Sequence, residues 1–394
     1  MSKRISRWLV GLFLLLAALT TANSLAQAAE IRVLLDARPL SLEVKPQQEG
    51  GTVLVPLRAV LGALGAEMTW DSKARSVNII RGRTSLALTI GNTAATRNGT
   101  TIQLAVAPRI VNGRTLVPLR FVSEALGSQV DWRSRDLTVA ITSPAKRALT
   151  LATTTSTYDS GLLQAILPAF EKAFDYEVRI ISVGTGAALA LGRDGNADVV
   201  LVHSRALELQ NVAQGHFIGR REIMYNDFVI VGPTADPAGL RRAANATAAL
   251  RAVAEARATF VSRGDNSGTH VKENELWRAA GLTPSGAWYL RAGAGMADTL
   301  RMADERNGYT LTDRGTYYMQ QDKLDLVLLF EGGEILHNQY GIMAVNPARH
   351  PRINLEGATD LIQFFVSPRG QSLVASFKDA RGRQLFFPNA HLLR

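Results

Sequence analysis

The sequence predicts an α/β body of two lobes, hinged on two crossing strands and preceded by a small, duplicated α+β domain. Three observations carry this expectation. An internal repeat fills the first third of the chain, strand-like and helix-like segments alternate after it, and two long apolar strands, 223–231 and 340–347, bracket residues 233–338.

Lys3, Arg4 and Arg7 precede an apolar run from Trp8 to Leu19, and small residues close the segment at Ala26-Gln27-Ala28-Ala29. The apolar run is too short to span a bilayer, and the A-x-A pattern suits cleavage before Ala29 or Glu30, so residues 1–28 are expected to be a secretory signal peptide. The mature protein is then exported, to the periplasm or cell envelope. The sequence contains no cysteine, which excludes disulfides, thiol catalysis and thiolate metal sites. Of the formal charge of +10, the three signal-peptide cations leave +7. No dense Lys/Arg run interleaved with aromatics accompanies that charge, so attraction to anions or to an anionic envelope is the simpler reading than nucleic acid.

Residues 30–142 carry the repeat. Thr52-Val53-Leu54-Val55-Pro56-Leu57-Arg58 recurs as Arg114-Thr115-Leu116-Val117-Pro118-Leu119-Arg120, and Pro56 to Pro118 and Trp70 to Trp132 share one offset of 62 residues. Each copy reads as a strand, a proline that starts a helix, Gly65 or Gly127 ending it, and a further strand. This unit resembles the copper amine oxidase N-terminal, or stalk, domain on its L-V-P-L-R motif and its Trp turn. The segment holds no His and no Cys, poor equipment for copper. Arg58 and Arg120 are expected in capping or surface ion pairs, and the domain is expected to be a spacer or a module that binds a cell-envelope polymer.

Ser143-Pro144-Ala145-Lys146-Arg147 reads as a connection. Beyond it, 148–152 is strand-like, and Leu162, Leu163, Ile166, Leu167 and Phe170 fall at helical spacing within 161–174. Strands are expected at 176–182, 197–202, 258–261 and 324–330, with helices after Gly184-Thr185-Gly186, over 271–280 and around 296–307. Short strand–helix connections imply βαβ units, whose ligands gather at the carboxyl ends of the strands. Three such ends carry Thr/Ser/Gly loops: 153–156, 184–186 and 262–269. Each opens a helix, where free N–H groups and partial positive charge favour an anion. Arg263 adds a full charge with a planar donor fork. If strands 223–231 and 340–347 cross between lobes, the result is a venus-flytrap body that closes on a ligand by a hinge. The lobes are expected at 148–230 plus 340–392 and at 233–338.

Residues 148–392 closely resemble the periplasmic tungstate-binding, TupA-like component of ABC importers, a type II periplasmic-binding-protein fold. The matching stretches include T-T-T-S (153–156), V-G-T-G (183–186), M-Y-N-D-F-V-I-V-G-P (224–233), S-R-G-D-N-S-G-T-H (262–270), Y-T-L-T-D-R-G-T-Y (309–317) and N-Q-Y-G-I-M-A-V-N-P (338–347). The resemblance implies oxyanion contacts from Thr154, Thr155, Ser156, Arg263 and Thr269, with Ser267 and Gly268 through backbone or hydroxyl donors. Thr185 and Gly186 join them on loop position alone. It also implies tungstate or molybdate as ligand, a membrane permease as partner, and no cofactor. His203-Ser204-Arg205 and Asn338-Gln339-Tyr340 depart slightly from the family wording, and neither is expected to touch these contacts.

A fully ionised tetrahedral oxyanion wants donors only, and charge-assisted bonds are worth ~1.5–3 kcal/mol each. Nanomolar affinity needs about 12 kcal/mol net, so on the order of six such bonds suffice after binding costs. Asp265 complicates this donor set. A carboxylate there could accept the proton of monohydrogen phosphate, which makes phosphate the alternative ligand. The favoured expectation is that Asp265 orients Arg263 or caps the helix near Ser267. A sensory module not coupled to uptake is the alternative role. The six histidines show no paired metal-ligand spacing, and no G-x-S-x-G elbow accompanies Ser267 or His270. Neither a metal site nor an enzyme is expected. Asp313 and Arg314 are expected to form a structural pair.

Overall fold

The computed structural model describes residues 30–390, so the expected signal peptide lies outside the described residues. The chain divides into two compact units that meet at Pro144 and Ala145.

In the first unit the duplication becomes a local two-fold. Thr52–Pro56 and Arg114–Pro118 pair antiparallel, with Val55 opposite its own repeat equivalent Val117. A repeated strand that pairs with its copy makes the same contacts twice, as in an isologous interface. Each strand runs directly into a helix, Leu57–Leu64 or Leu119–Ala125. Pro56 and Pro118 occupy the N-cap positions, where proline's missing N–H removes no intrahelical bond. Gly65 ends the first helix at φ 74, a left-handed conformation that a side chain would strain. Leu57, Val60, Leu61 and Leu64 recur at helical spacing and are buried with Leu119 and Val122 in a core confined to this unit. Arg120 donates to Glu124 at 3.0 Å and to the Val130 carbonyl at 2.6 Å, the surface role expected of it.

The second unit is organised by one 16-residue strand, Phe217–Gly232. Its first part pairs antiparallel with His337–Val345, and its last part pairs with Thr310–Asp313 and Val327–Phe330. It therefore belongs to both lobes. In the first lobe, Tyr176–Val183, Arg147–Thr154 and Val199–Val202 lie side by side and parallel, and His337–Val345 joins them antiparallel. Clusters around Phe170 and Leu189 cover that lobe's sheet. In the second lobe, Phe260–Ser262 runs parallel to Tyr289–Arg291, with cores around Trp277 and Leu300.

The helix Leu162–Phe174 buries the apolar residues that its periodicity picked out. One boundary moved. The strand expected at 148–152 continues through Thr153 and Thr154, because both threonines stay in register with Ser182 and Val183. The expected polar loop is thus half strand and half helix, with Thr154 as N-cap of Thr155–Asp159.

Candidate functional site

Because the three parallel strands of the first lobe end at one edge, Thr154, Gly184 and His203 come together there, just beyond the strand ends. Thr154 caps its helix: its Oγ1 accepts from the Thr157 N–H at 3.3 Å and shares hydrogen bonds with Thr157 Oγ1 at 2.6 Å and Ser156 Oγ at 3.2 Å. Ser156 Oγ meets His203 Nε2 at 3.1 Å, and His203 Nδ1 meets Asn338 Oδ1 at 2.9 Å. Asn338 Nδ2 donates to Asn226 Oδ1 at 2.7 Å. With Asn338 so oriented, His203 carries its proton on Nδ1 and Nε2 accepts from the Ser156 hydroxyl. Burial holds His203 down at about 4, so it is neutral near pH 7.

Here one expectation is corrected. The departures at 203 and 338 are not remote from the contacts: His203 holds the Ser156 hydroxyl, and Asn338 holds His203. Both are buried, and the chain of bonds ties the loop at Thr154–Ser156 to both crossing strands. In this first turn the Thr157 N–H is taken by Thr154 Oγ1, and helix geometry leaves the Thr155 and Ser156 N–H groups without an intrahelical partner.

The second lobe brings three helix starts to its own edge, at Gly268–Ala279, Met296–Glu305 and Arg314–Gln320. Arg263 is only 2% exposed. Its Nη2 donates to Asp265 Oδ2 at 2.5 Å and, at 3.5 Å, reaches Thr155 Oγ1 of the other lobe. Its Nε has no hydrogen-bond partner among the described residues, and neither has the buried Thr269 Oγ1. Ser267 is the N-cap, accepting from the His270 N–H at 3.2 Å. Asp265 orients Arg263, one of the two roles expected of it; the helix cap falls to Ser267, whose N–H donates to Asp265 Oδ1 at 3.1 Å. Burial alone would raise the Asp265 pKa; the Ser267 and Arg263 donors outweigh it and hold the carboxyl below its usual range. His270 Nδ1 accepts from the Asn266 N–H at 2.9 Å.

Thr185 and Gly186 lie where the two lobes touch. Thr185 Oγ1 accepts from the Gly268 N–H at 2.8 Å, which commits that donor to the opposite lobe. A Cβ on Gly186 would sit 3.8 Å from the Asn266 carbonyl, and one on Gly268 would come within 2.9 Å of His203 Cε1. Gly268 is thus needed for this close approach. The expected Asp313–Arg314 pair is absent. Arg314 binds Asp227 and Glu331, while Asp313 caps its helix by accepting from the Thr316 N–H at 2.8 Å. Two carboxylates add negative charge nearby: Asp159 is raised by burial, with Arg263 opposing and Asp298 reinforcing the shift.

A cavity of 880 Å³ is lined by Tyr225, Arg314, Tyr318, His337 and Arg383, and none of the loops 153–156, 184–186 and 262–269 reaches it. Asn226, Asp313 and Thr316 were not singled out from the sequence as site residues. An N-cap pattern, Asp followed three residues later by Thr, was the available signal for the last two.

Two lobes joined by shared strands, with helix starts and a buried arginine converging between them, define a two-lobed solute-binding class. The chain belongs to the PBP superfamily, whose domain matches residues 138–369, and within it to the TupA-like family. It is 47% identical to the tungstate-binding protein TupA of Peptoclostridium acidaminophilum, over 62% of this chain and 87% of that protein. It is 51% identical to a putative ABC transporter anion-binding protein of Haloferax volcanii, over 61% and 72% of the two chains. Among solved structures, the tungstate ABC transporter protein from Geobacter sulfurreducens superposes with a TM-score of 0.56 at 51% identity, covering 59% of this chain and all of that one. TupA from Desulfovibrio alaskensis G20 gives 0.54 at 43%, covering 62% and 99%. Residues 34–141 match the copper amine oxidase N-terminal domain.

Proposed function

We propose that the second unit captures tungstate, with molybdate as a second ligand, between its lobes outside the cytoplasm and delivers it to the permease of an ABC importer. The observation that carries this reading is the pair of buried, unpartnered donors, Arg263 Nε and Thr269 Oγ1, in a loop that faces Thr155 across the lobes. Buried donors without partners are costly, and a bound oxyanion relieves that cost. The ion is then held by Arg263, Thr269 and Thr155 with the backbone N–H groups around Thr155 and Ser156. Thr154, Ser156 and Ser267 brace those helix starts, and Thr185, Gly186 and Gly268 hold the lobes closed. Asp265 is occupied by Arg263 and Ser267, which favours a fully ionised ligand over monohydrogen phosphate. The relatives named for tungstate binding support the same ligand. The duplicated first unit serves as the contact to a cell-envelope polymer.

Titration calorimetry of the mature protein against tungstate, molybdate, sulfate and phosphate tests the ligand. Tungstate and molybdate are expected to bind far more tightly than the other two; tight phosphate binding without tungstate binding would sink the assignment. Cell-wall pull-down that requires residues 30–142 tests the envelope contact.

A further inference from the structure

Asp313 ends the strand Thr310–Asp313 in full burial, with no exposed surface. Its Oδ1 caps the following helix, but its Oδ2 has no partner among the described residues. Among the described residues no cation forms an ion pair with it. Arg314 is taken by Asp227 and Glu331, and Arg263, though within electrostatic reach, is tied to Asp265 at 2.5 Å.

The groups around it are few. The strand Phe217–Gly232 presents Asn226, whose Nδ2 also lacks a partner. His337–Val345 presents Tyr340, whose hydroxyl accepts from Asn338 Nδ2 at 3.2 Å, and neutral His203 stacks on that ring at 4.9 Å. On the helix of Asp313 itself, the buried Thr316 Oγ1 has no partner either. Gly315 leaves room between these groups: a Cβ there would lie 3.2 Å from Asp313 Oδ1 and 3.5 Å from Asn226 Nδ2. An unpaired ionised carboxylate in such a place is unfavourable, and a divalent anion arriving beside Arg263 makes it more so. Burial raises the Asp313 pKa, against the lowering by Thr316 and Arg263.

We propose that Asp313 is a specificity-determining group that binds a proton when a fully ionised oxyanion enters beside Arg263, so that capture of the ion is coupled to proton uptake. The proton comes from solvent and converts the carboxylate to the carboxylic acid, while the ion keeps its two negative charges. The sign follows from linkage. The anion favours the protonated form, so the Asp313 pKa is higher in the complex than in the free protein. Affinity is highest below the free-protein pKa and falls as pH rises between the two values, by up to tenfold per pH unit. An ion that brings its own proton would gain from the ionised carboxylate instead, so one group discriminates ligands by protonation state.

This inference rests on the tungstate reading above, and the test separates the two. Tungstate is titrated into the mature protein at several pH values from 6 to 9, in pairs of buffers with different ionisation enthalpies. The expected result is a buffer-dependent enthalpy that reports uptake of a fraction of a proton, with affinity declining toward pH 9. Asp313→Asn keeps a capping oxygen and cannot titrate; it is expected to bind tungstate with no proton uptake and a flatter pH profile. Tungstate binding with no buffer dependence across this range would overturn the inference alone, and so would proton uptake that persists in Asp313→Asn. Failure of the wild-type protein to bind tungstate at all would remove both readings.

Discussion

At the scale of single residues, the two lobes differ in how they offer donors. In the first, the hydroxyls of Thr154, Ser156 and Thr157 bond to one another and to His203, so they stiffen a helix start. In the second, Thr269 Oγ1 is buried with no bond to offset its desolvation. Thr269→Val is therefore expected to leave the ligand-free protein as stable or up to ~1 kcal/mol more stable, while weakening tungstate binding about tenfold. Denaturant unfolding and calorimetry on the same variant check both halves; a loss of stability with affinity intact would assign the hydroxyl a structural role. His203 predicts a pH effect. Its pKa falls from 6.5 to about 4 on folding, so the unfolded chain binds the extra proton and stability is lost as pH drops through that window. The full loss from this one group is about 3 kcal/mol, and it should be missing from the pH profile of His203→Gln. Parallel profiles for the two proteins would show that folding leaves the His203 pKa unshifted.

At the scale of elements, the site is made by strand ends and helix starts. Three parallel strands place the loops of one lobe at a common edge, and the opposing loop 263–269 is pinned by Asp265 and Ser267. The lobes meet where glycine lets them: Gly268 packs so closely that a methyl group would clash with His203 and come within 3.1 Å of Thr185 Oγ1. Gly268→Ala sits in the first turn of a helix, where alanine suits the backbone. It is expected to spare stability yet weaken tungstate binding at least tenfold and abolish compaction on ligand addition. Small-angle scattering with and without tungstate measures that compaction, and an unchanged response would show that closure tolerates the extra methyl.

At the scale of the whole molecule, each unit has its own core. The first buries Leu57, Val60, Leu119 and Val122 in a cluster of its own, and the long strand Phe217–Gly232 joins the two lobes of the second. Deleting residues 30–144 is thus expected to leave tungstate affinity within twofold of the full mature chain. A larger loss measured by calorimetry would give the duplicated domain a part in ligand capture. No helix among the described residues is long and apolar enough to cross a membrane.

The sequence by itself determined the duplication, the alternation of elements and the three Thr/Ser/Gly loops at strand ends, because these depend on local periodicity, capping and a repeated offset. The amphipathic helix Leu162–Phe174 and the cap at Ser267 are of this kind. Tertiary structure alone decided where the polar network runs. His203 and Asn338 are 135 residues apart, and they meet only because Val199–Val202 pairs with the strand that carries Asn338. The same holds for Asp313. Its neighbour Arg314 suggested a pair, but the capped helix turns that arginine toward Asp227 and leaves the carboxylate buried without a cation.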